Sequence, residues 1–233
     1  MRILLWFLIV PVLLLACALA MIWMPLPRPL PPAGSHERNL PAAIITGVLG
    51  IAAVAGLVVM AVSSFVQAGR VLDPVLLSAG LSSRGYMLFG QQYHGSVRGR
   101  QVDVYYVPNR SIWSPLLNIY VRADTGTRAA IGTGKPLLDC RDCPLVAVGE
   151  PDVGYLQIYA EDEAWVGRLL AEPANRAALS RLLDRQGAGG FRELYVQPER
   201  LWLRWRPQGV SESHVRQGLD DLLSLAEACE SQR

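Results

Sequence analysis

Lysine, histidine and cysteine are scarce in this sequence. Lys135 is the only lysine among 22 basic residues, and the 233 residues include three histidines and four cysteines. Four cysteines spread along the chain exclude a disulfide framework of the kind that holds small secreted domains together. A zinc site needs about four ligands, and neither His94 nor His214 belongs to a pair with ligand spacing. We therefore predict no metal and no cofactor.

Charge is almost absent from the first 66 residues. This part has only four charged side chains, which are Arg2, Arg28, Glu37 and Arg38. The remaining residues have 19 basic groups (22 minus 3) and 19 acidic groups (20 minus 1), so they are close to neutral. Neutrality argues against a nucleic-acid partner, because phosphate contacts need a basic surplus. The composition predicts a membrane region, 1–66, followed by a soluble domain, 67–233, which is long enough to bury a core.

Two long uncharged runs predict transmembrane helices over 3–24 and 42–66. A helix rises 1.5 Å per residue, so each run can cross a hydrocarbon core of about 30 Å. The segment between them, 25–41, has six prolines, which favour an extended connection and separate the two spans. The sequence therefore predicts an integral protein of the cell membrane, of a bacterial type, with the lipid bilayer as one partner.

The arginines near the span ends predict the orientation of the soluble domain. With two spans, the α-amine, Arg2, Arg70 and Arg84 lie on one side, and Arg28 and Arg38 lie in the connecting loop. Cytoplasmic segments carry the excess of positive charge in membrane proteins. Three arginines against two therefore favour a cytoplasmic soluble domain.

The soluble domain begins with strand patterns and continues with helical ones. The predicted strands are 86–93, 101–107, 116–123, 128–131, 145–148, 155–159, 191–196 and 201–205. The predicted helices are 161–170, a helix that Pro173 opens and Gly187 ends, and a last helix over 211–229. Strands and helices that are segregated along the chain predict an α+β domain with a mainly antiparallel sheet and about three helices.

The last helix has a continuous apolar stripe. Its members recur at helical spacing and are Val215, Leu219, Leu222, Ala226 and Cys229. Such a stripe stabilises a helix by packing against another element. We expect it to pack on the sheet that contains Leu201 and Leu203; the alternative is a docking face for a partner helix.

Cys140 and Cys143 have the CxxC spacing of redox and metal sites. In a redox enzyme the pair begins a helix that lowers the pKa of the first thiol, but Pro144 and a strand pattern follow here. A zinc site would need two more ligands. The pair is therefore a candidate redox or metal site, a structural disulfide, or two ordinary loop cysteines.

Acidic residues are concentrated in one stretch. Residues 139–172 have eight acids and two arginines, whereas 67–138 have eight bases and three acids. This asymmetry could steer a partner or hold the basic half beside anionic lipid, or it could reflect solvated faces. Within the acidic stretch, Glu161, Asp162 and Glu163 could act as acid and base or bind a cation. They also suit the N-terminus of a helix, whose dipole they complement.

Trp202, Arg204 and Arg206 alternate along a predicted strand. Tryptophan and arginine are enriched at binding hot spots, so these three residues are a candidate partner surface, while Trp205 points to the opposite face and is expected in the core. His94 and Asp103 could face each other across a hairpin, but no nucleophile elbow accompanies them.

No motif in the sequence names a reaction. We therefore expect a membrane-tethered binding or scaffolding module whose partner is another protein. One alternative is a membrane-bound enzyme that uses the acidic cluster or the CxxC pair. Another is a small subunit of a membrane transport or secretion assembly.

Overall fold

The structure is a computed structural model, and it describes residues 40–86, 90–107, 115–183, 190–207 and 211–232. The chain divides into two compact units, Met1–Ser63 and Ser64–Arg233. We call the second the folded unit. The predicted span over 3–24 and most of the proline-rich segment lie outside the described residues.

The first described element is a long helix, α1, over Leu40–Ser78. It includes the run 42–66, so the helical conformation predicted there is confirmed. The helix continues beyond 66, with Pro74 inside it. Among the described residues, no helix combines the length and the apolar character that crossing a membrane requires. The two spans therefore stay a prediction.

A nine-stranded sheet forms the centre of the folded unit. Its strands are β1 Ser82–Tyr86, β2 Gly90–Val97, β3 Arg100–Val107, β4 Leu116–Arg122, β5 Ala129–Gly132, β6 Leu145–Val146, β7 Gln157–Ala160, β8 Gly190–Gln197 and β9 Arg200–Pro207. They lie in the order β1-β2-β3-β4-β9-β8-β5-β7-β6, and every neighbouring pair is antiparallel. The predicted α+β class with a mainly antiparallel sheet is confirmed.

One face of the sheet forms the core. Side chains alternate between the two faces of a strand, so the register places Val104, Ile119 and Leu203 in one row across β3, β4 and β9. These residues belong to a single buried cluster that also contains Leu72 and Leu76 of α1. The strand predicted over 101–107 is confirmed by β3, in which Val102, Val104 and Tyr106 are buried.

Three further helices pack on this same face: α2 over Glu163–Ala171, α3 over Pro173–Leu183 and α4 over Glu212–Ser231. Asp162 caps α2 by accepting a hydrogen bond from the Trp165 amide at 3.0 Å. Ser211 caps α4 in the same way. Each cap satisfies a backbone donor that the first helical turn leaves unpaired.

The predicted packing of the last helix is confirmed. All five residues of its stripe, Val215, Leu219, Leu222, Ala226 and Cys229, are buried in the same cluster as Leu201 and Leu203. Arg216 and Ser224, on the opposite side of α4, are exposed. The stripe is therefore part of the core, which excludes a free docking face for a partner helix.

The first predicted hairpin differs from the observed one. The strand expected over 86–93 is split between β1 and β2, and β2 continues to Val97. The turn to β3 consists of Arg98 and Gly99, whose φ angles of 52° and 78° are typical of a tight two-residue turn between antiparallel strands. Gly90 permits the close approach of β1, since a Cβ there would lie 2.7 Å from the Tyr86 carbonyl oxygen.

Candidate binding face of the sheet

In the part of the chain that the structure describes, no helix of the folded unit covers the second face of the sheet. We call this surface the open face. Its central residues come from alternate positions on β1, β3, β4 and β9, and they are Tyr86, Asp103, Tyr105, Asn118, Tyr120, Arg122, Arg200 and Trp202. Strand alternation places them opposite the core residues of the same strands.

Aromatic side chains form a continuous row across the open face. Ring centroids are separated by 5.0 Å between Tyr86 and Tyr105, and by 5.7 Å between Tyr105 and Tyr120. Trp202 stacks on Tyr120 at 5.4 Å and on Tyr195 at 4.8 Å. Pairs at such distances stabilise by about 0.5–1.5 kcal/mol beyond their buried area. We call these five residues the aromatic row, and its contacts, edge-to-face among the three tyrosines Tyr86, Tyr105 and Tyr120 and stacked on Trp202, position each ring.

Polar contacts hold the same residues in place. Arg84 Nε donates to Gln92 Oε1 at 2.9 Å, and Gln92 Nε2 donates to the Tyr105 hydroxyl at 2.9 Å. Trp202 Nε1 donates to Asn118 Oδ1 at 3.0 Å. Burial raises the pKa of the Tyr105 phenol, which is therefore neutral at physiological pH. Its oxygen accepts the bond from Gln92, and no acceptor for its hydrogen is found among the described contacts, so this hydrogen can donate to a ligand.

Two arginines stand side by side at one end of the open face. Arg122 on β4 and Arg200 on β9 are register partners. The Arg200 guanidinium lies 5.1 Å from the centre of the Tyr120 ring, and its Nε donates to Gln197 Oε1. Like charges directly opposite on neighbouring strands destabilise a sheet. We call these two residues the arginine pair.

The arginine pair has no ion-pair partner within the described ranges, and neither has Arg84. The nearby Arg128, by contrast, is paired with Asp139, Asp142 and Glu161. Two of the three arginines on the open face that have no ion-pair partner among the described residues therefore lie next to each other.

The open face is the floor of a wide groove with a volume of about 1620 Å³. Its lining includes Tyr86, Gln92, Tyr105 and Asn118 as well as the arginine pair. Small-molecule sites usually enclose about 300–1,000 Å³. The groove is thus large enough for a part of a bigger partner.

The three residues of the predicted partner surface lie on the same face of β9 but differ in exposure. Trp202 is half-buried in the aromatic row, and Arg206 is exposed. Arg204 is buried in an ion pair with Glu193, with 2.9 Å between Arg204 Nη1 and Glu193 Oε2 and 6% exposure of each side chain. Trp205 lies in the core, as predicted.

A disulfide joins Cys140 and Cys143. Both residues are buried, and they form a small cluster with Ala130 and Tyr195 at the β8 end of the aromatic row. The Leu137 amide, in the same loop, donates to the Tyr195 hydroxyl at 3.3 Å. The disulfide therefore closes a short turn within this loop, and the contacts with Ala130 and Tyr195 hold the loop over this end of the open face. A disulfide agrees with both the structural and the redox alternative for the CxxC pair, so the choice between them stays a prediction.

Similarity to known proteins is limited to the fold. Neither the models of protein families nor the curated proteins give a match to this sequence. Among solved structures, the chain is similar to the crystal structure of the mycobacterial trehalose monomycolate transport factor A, TtfA, with a TM-score of 0.50 and 12% sequence identity. The match covers 69% of this chain and 93% of that one. At this identity the likeness shows a shared α+β fold with a large antiparallel sheet.

The acidic triplet at the start of α2 has structural contacts. Asp162 caps the helix, and Glu161 accepts hydrogen bonds from Arg128 at 2.5 and 2.8 Å. Glu163 lies exposed in the first helical turn. Among the residues that can be described, no three acids, histidines or cysteines are grouped as metal ligands would be. The helix-terminus interpretation of the triplet therefore agrees with its contacts.

The register also aligns Ser82, His94 and Asp103 on β1, β2 and β3. Ser82 and His94 are exposed. Within the described contacts no hydrogen bond joins the three side chains, and Asp103 accepts one from Gln101 Nε2 instead. A catalytic triad requires the base to contact both the nucleophile and the acid, so this alignment does not support the enzyme alternative.

Sequence patterns did not predict Tyr86, Tyr105, Tyr120 or the arginine pair as site residues. The available signal was their alternation with apolar residues along the predicted strands, as in Tyr105 between Val104 and Tyr106. That pattern assigns a residue to the second face of a sheet. It does not show which strands are neighbours.

Proposed function

We propose that the protein is a membrane-tethered binding and scaffolding module whose folded unit binds its partner on the open face. The observation that carries the proposal is the division of the sheet, with the helices of the folded unit on one face and the aromatic row and the arginines without a described ion pair on the other. Tyrosine, tryptophan and arginine are the residue types enriched at binding surfaces.

The open face is also ordered before a partner arrives. The aromatic row is held by edge-to-face and stacked ring contacts, and hydrogen bonds connect Arg84, Gln92 and Tyr105 as well as Trp202 and Asn118. Side chains that are already immobile lose little conformational entropy on binding. This order supports a recognition surface rather than a solvated face of no function.

The tether is the second part of the proposal. The uncharged runs 3–24 and 42–66 would cross the bilayer as two helices, and the chain between 42 and 66 is helical. The arginine count favours a cytoplasmic folded unit. The disulfide between Cys140 and Cys143 argues against a cytoplasmic location, because disulfides persist mainly in oxidising compartments.

A small subunit of a membrane transport assembly is the second candidate function. The similar solved structure is named as a transport factor, and small residues in 42–66 such as Ala43 and Gly47 would allow close packing against other helices. In this case the spans would make the main contacts with the assembly.

Site-specific photo-cross-linking in intact membranes tests the proposal. A photo-reactive amino acid replaces Tyr105 on the open face or, as the matched control, Arg216 on the exposed side of α4. We expect adducts from position 105 and none above background from position 216. Equal adducts at both positions, or none at 105, would contradict a binding face there.

The transport candidate gives a different result in the same material. A transport subunit would form adducts from a position such as Gly47 and would migrate with a large complex on a native gel. That complex would persist when the open face is altered. The two functions are therefore separated by which part of the chain the partner contacts.

A further inference from the structure

We propose that Arg122 and Arg200 form a binding site for the phosphate group of an anionic phospholipid headgroup. The inference rests on the proposed function, because a tether would confine the folded unit to the membrane surface, where such headgroups are concentrated. It adds to that function the chemical class of one ligand of the open face.

The geometry of the arginine pair suits a single oxyanion. The two residues are directly opposite on β4 and β9, and partners of this kind have Cβ atoms about 4.5–5.5 Å apart. A guanidinium is a planar fork of donors that matches phosphate oxygens. A phosphate between the two forks would turn a like-charge repulsion into two charge-assisted contacts.

The neighbours of Arg200 limit the movement of its side chain. The guanidinium lies over the Tyr120 ring at 5.1 Å, and its Nε is bound to Gln197. Among the described contacts, the hydrogen bond to Gln197 uses Nε and leaves the terminal nitrogens of Arg200 available. Tyr120 is in turn fixed by Trp202, so the site is ordered through the aromatic row.

The acids of the groove leave it with a positive excess of one charge, since its lining has four arginines and three carboxylates. Asp103 and Glu199 line the groove without an ion pair among the described residues. Three arginines of the groove also lack an ion-pair partner among the described residues: Arg84, Arg122 and Arg200. The remaining basic residue of this groove, Arg128, is neutralised by its carboxylate partners.

The groove matches a headgroup better than a free phosphate or a protein segment. A volume of about 1620 Å³ far exceeds one phosphate ion, and its other lining groups include Gln92, Tyr105 and Asn118, which can bind headgroup hydroxyls. Large apolar side chains that the folded unit exposes, among them Leu137, Leu145 and Tyr155, lie outside this lining. At the end of the groove that holds the arginine pair, both guanidinium groups belong to exposed residues, whereas a protein hot spot is centred on a buried anchor.

Native mass spectrometry of the full chain in a neutral detergent tests the site. The probes are short-chain phosphatidylglycerol, short-chain phosphatidylcholine and inorganic phosphate. The variants are Arg122→Gln, Arg200→Gln and both together, and Arg216→Gln removes the same charge from the exposed side of α4 as the control. Circular dichroism establishes that each variant is folded.

We expect the wild type to retain phosphatidylglycerol in preference to phosphatidylcholine. Each single variant should bind phosphatidylglycerol about fivefold more weakly, and the double variant about 30-fold, since each arginine near an anionic surface contributes about 1 kcal/mol. Arg216→Gln should bind as the wild type does. Arg200→Lys should recover only part of the loss, because lysine lacks the planar fork.

Three results would overturn the inference. The first is equal loss in the double variant and in Arg216→Gln, and the second is equal retention of both lipids. The third is arginine-dependent binding of inorganic phosphate without a preference for phosphatidylglycerol, which would indicate a free-phosphate site. If any of these occurs while photo-adducts still form at position 105, the binding module stands and only its ligand class is wrong.

Discussion

Arg122 and Arg200 face each other across β4 and β9 with no carboxylate partner among the described residues. Sheets place opposite charges in such positions when stability is the only requirement. The repulsion between the two arginines is therefore expected to lower the stability of the free protein. It also places two positive charges side by side on the open face.

Removing one member of the pair should stabilise the protein in the absence of an anion. We expect Arg122→Gln to raise the free energy of unfolding by about 0.2–1 kcal/mol, because the cross-strand repulsion disappears. Arg216→Gln, which is not part of a cross-strand pair, should change it little. Thermal melts in phosphate-free buffer of low ionic strength provide the measurement, and a clear loss of stability in Arg122→Gln would contradict the repulsion.

Truncation of the α4 stripe should be costly. Leu219→Ala and Leu222→Ala each remove a side chain that is at most 4% exposed, so each should lower the free energy of unfolding by about 2–5 kcal/mol through lost burial and a cavity. Ser224→Ala, on the exposed side of the same helix, is the control. Denaturant unfolding measures the difference, and unchanged midpoints in both leucine variants would remove α4 from the core.

Removing one partner of the buried ion pair between Glu193 and Arg204 should lower the stability of the protein much more than removing both. Arg204→Met leaves the Glu193 carboxylate buried without its cation and should cost about 3–5 kcal/mol. Replacing Glu193 with leucine in the same chain removes both charges and should recover most of this loss. A double variant that is less stable than Arg204→Met would show that the pair has a further structural role.

The disulfide predicts how many thiols can be alkylated. In denatured, unreduced protein we expect two of the four cysteines to react, which are Cys17 and Cys229, and all four after reduction. Changing Cys140 and Cys143 to serine should cost about 2 kcal/mol, the entropy of closing so short a loop. Four reactive thiols before reduction would show that the pair is open in the isolated protein.

The position of the C-terminus can be tested with paired reporters. The arginine count predicts activity from a C-terminal reporter that works only in the cytoplasm. The disulfide predicts the opposite result, because glutathione and thioredoxin keep most cytosolic thiols reduced. Activity from the outside reporter alone would overturn the cytoplasmic assignment.

Local patterns predicted most elements of the folded unit. The α4 stripe and the hairpin of β8 and β9 were found because their residues repeat at helical or strand spacing over many positions. Strand β1 was missed because its residues are nearly all exposed, so no alternation marks it. Its pairing depends on β2, where Tyr93 enters the core.

The candidate site could not be predicted in the same way. Trp202 was identified because tryptophan and arginine alternate along one strand. Arg122 and Arg200 become neighbours only because β4 pairs with β9, and this pairing is a property of the whole sheet rather than of either segment. The burial of Arg204 likewise depends on Glu193 across the β8–β9 ladder.

The pairing of β4 with β9 also determines when the open face can exist. Asn118 and its partner Trp202 are 84 residues apart in the chain. At synthesis rates of about 5–20 residues per second, roughly 4 to 17 seconds separate their emergence from the ribosome. During that interval β4 presents an unpaired edge, and Tyr120 has no Trp202 on which to stack. A nascent chain therefore cannot recognise its partner, and binding begins only after the C-terminal hairpin has joined the sheet.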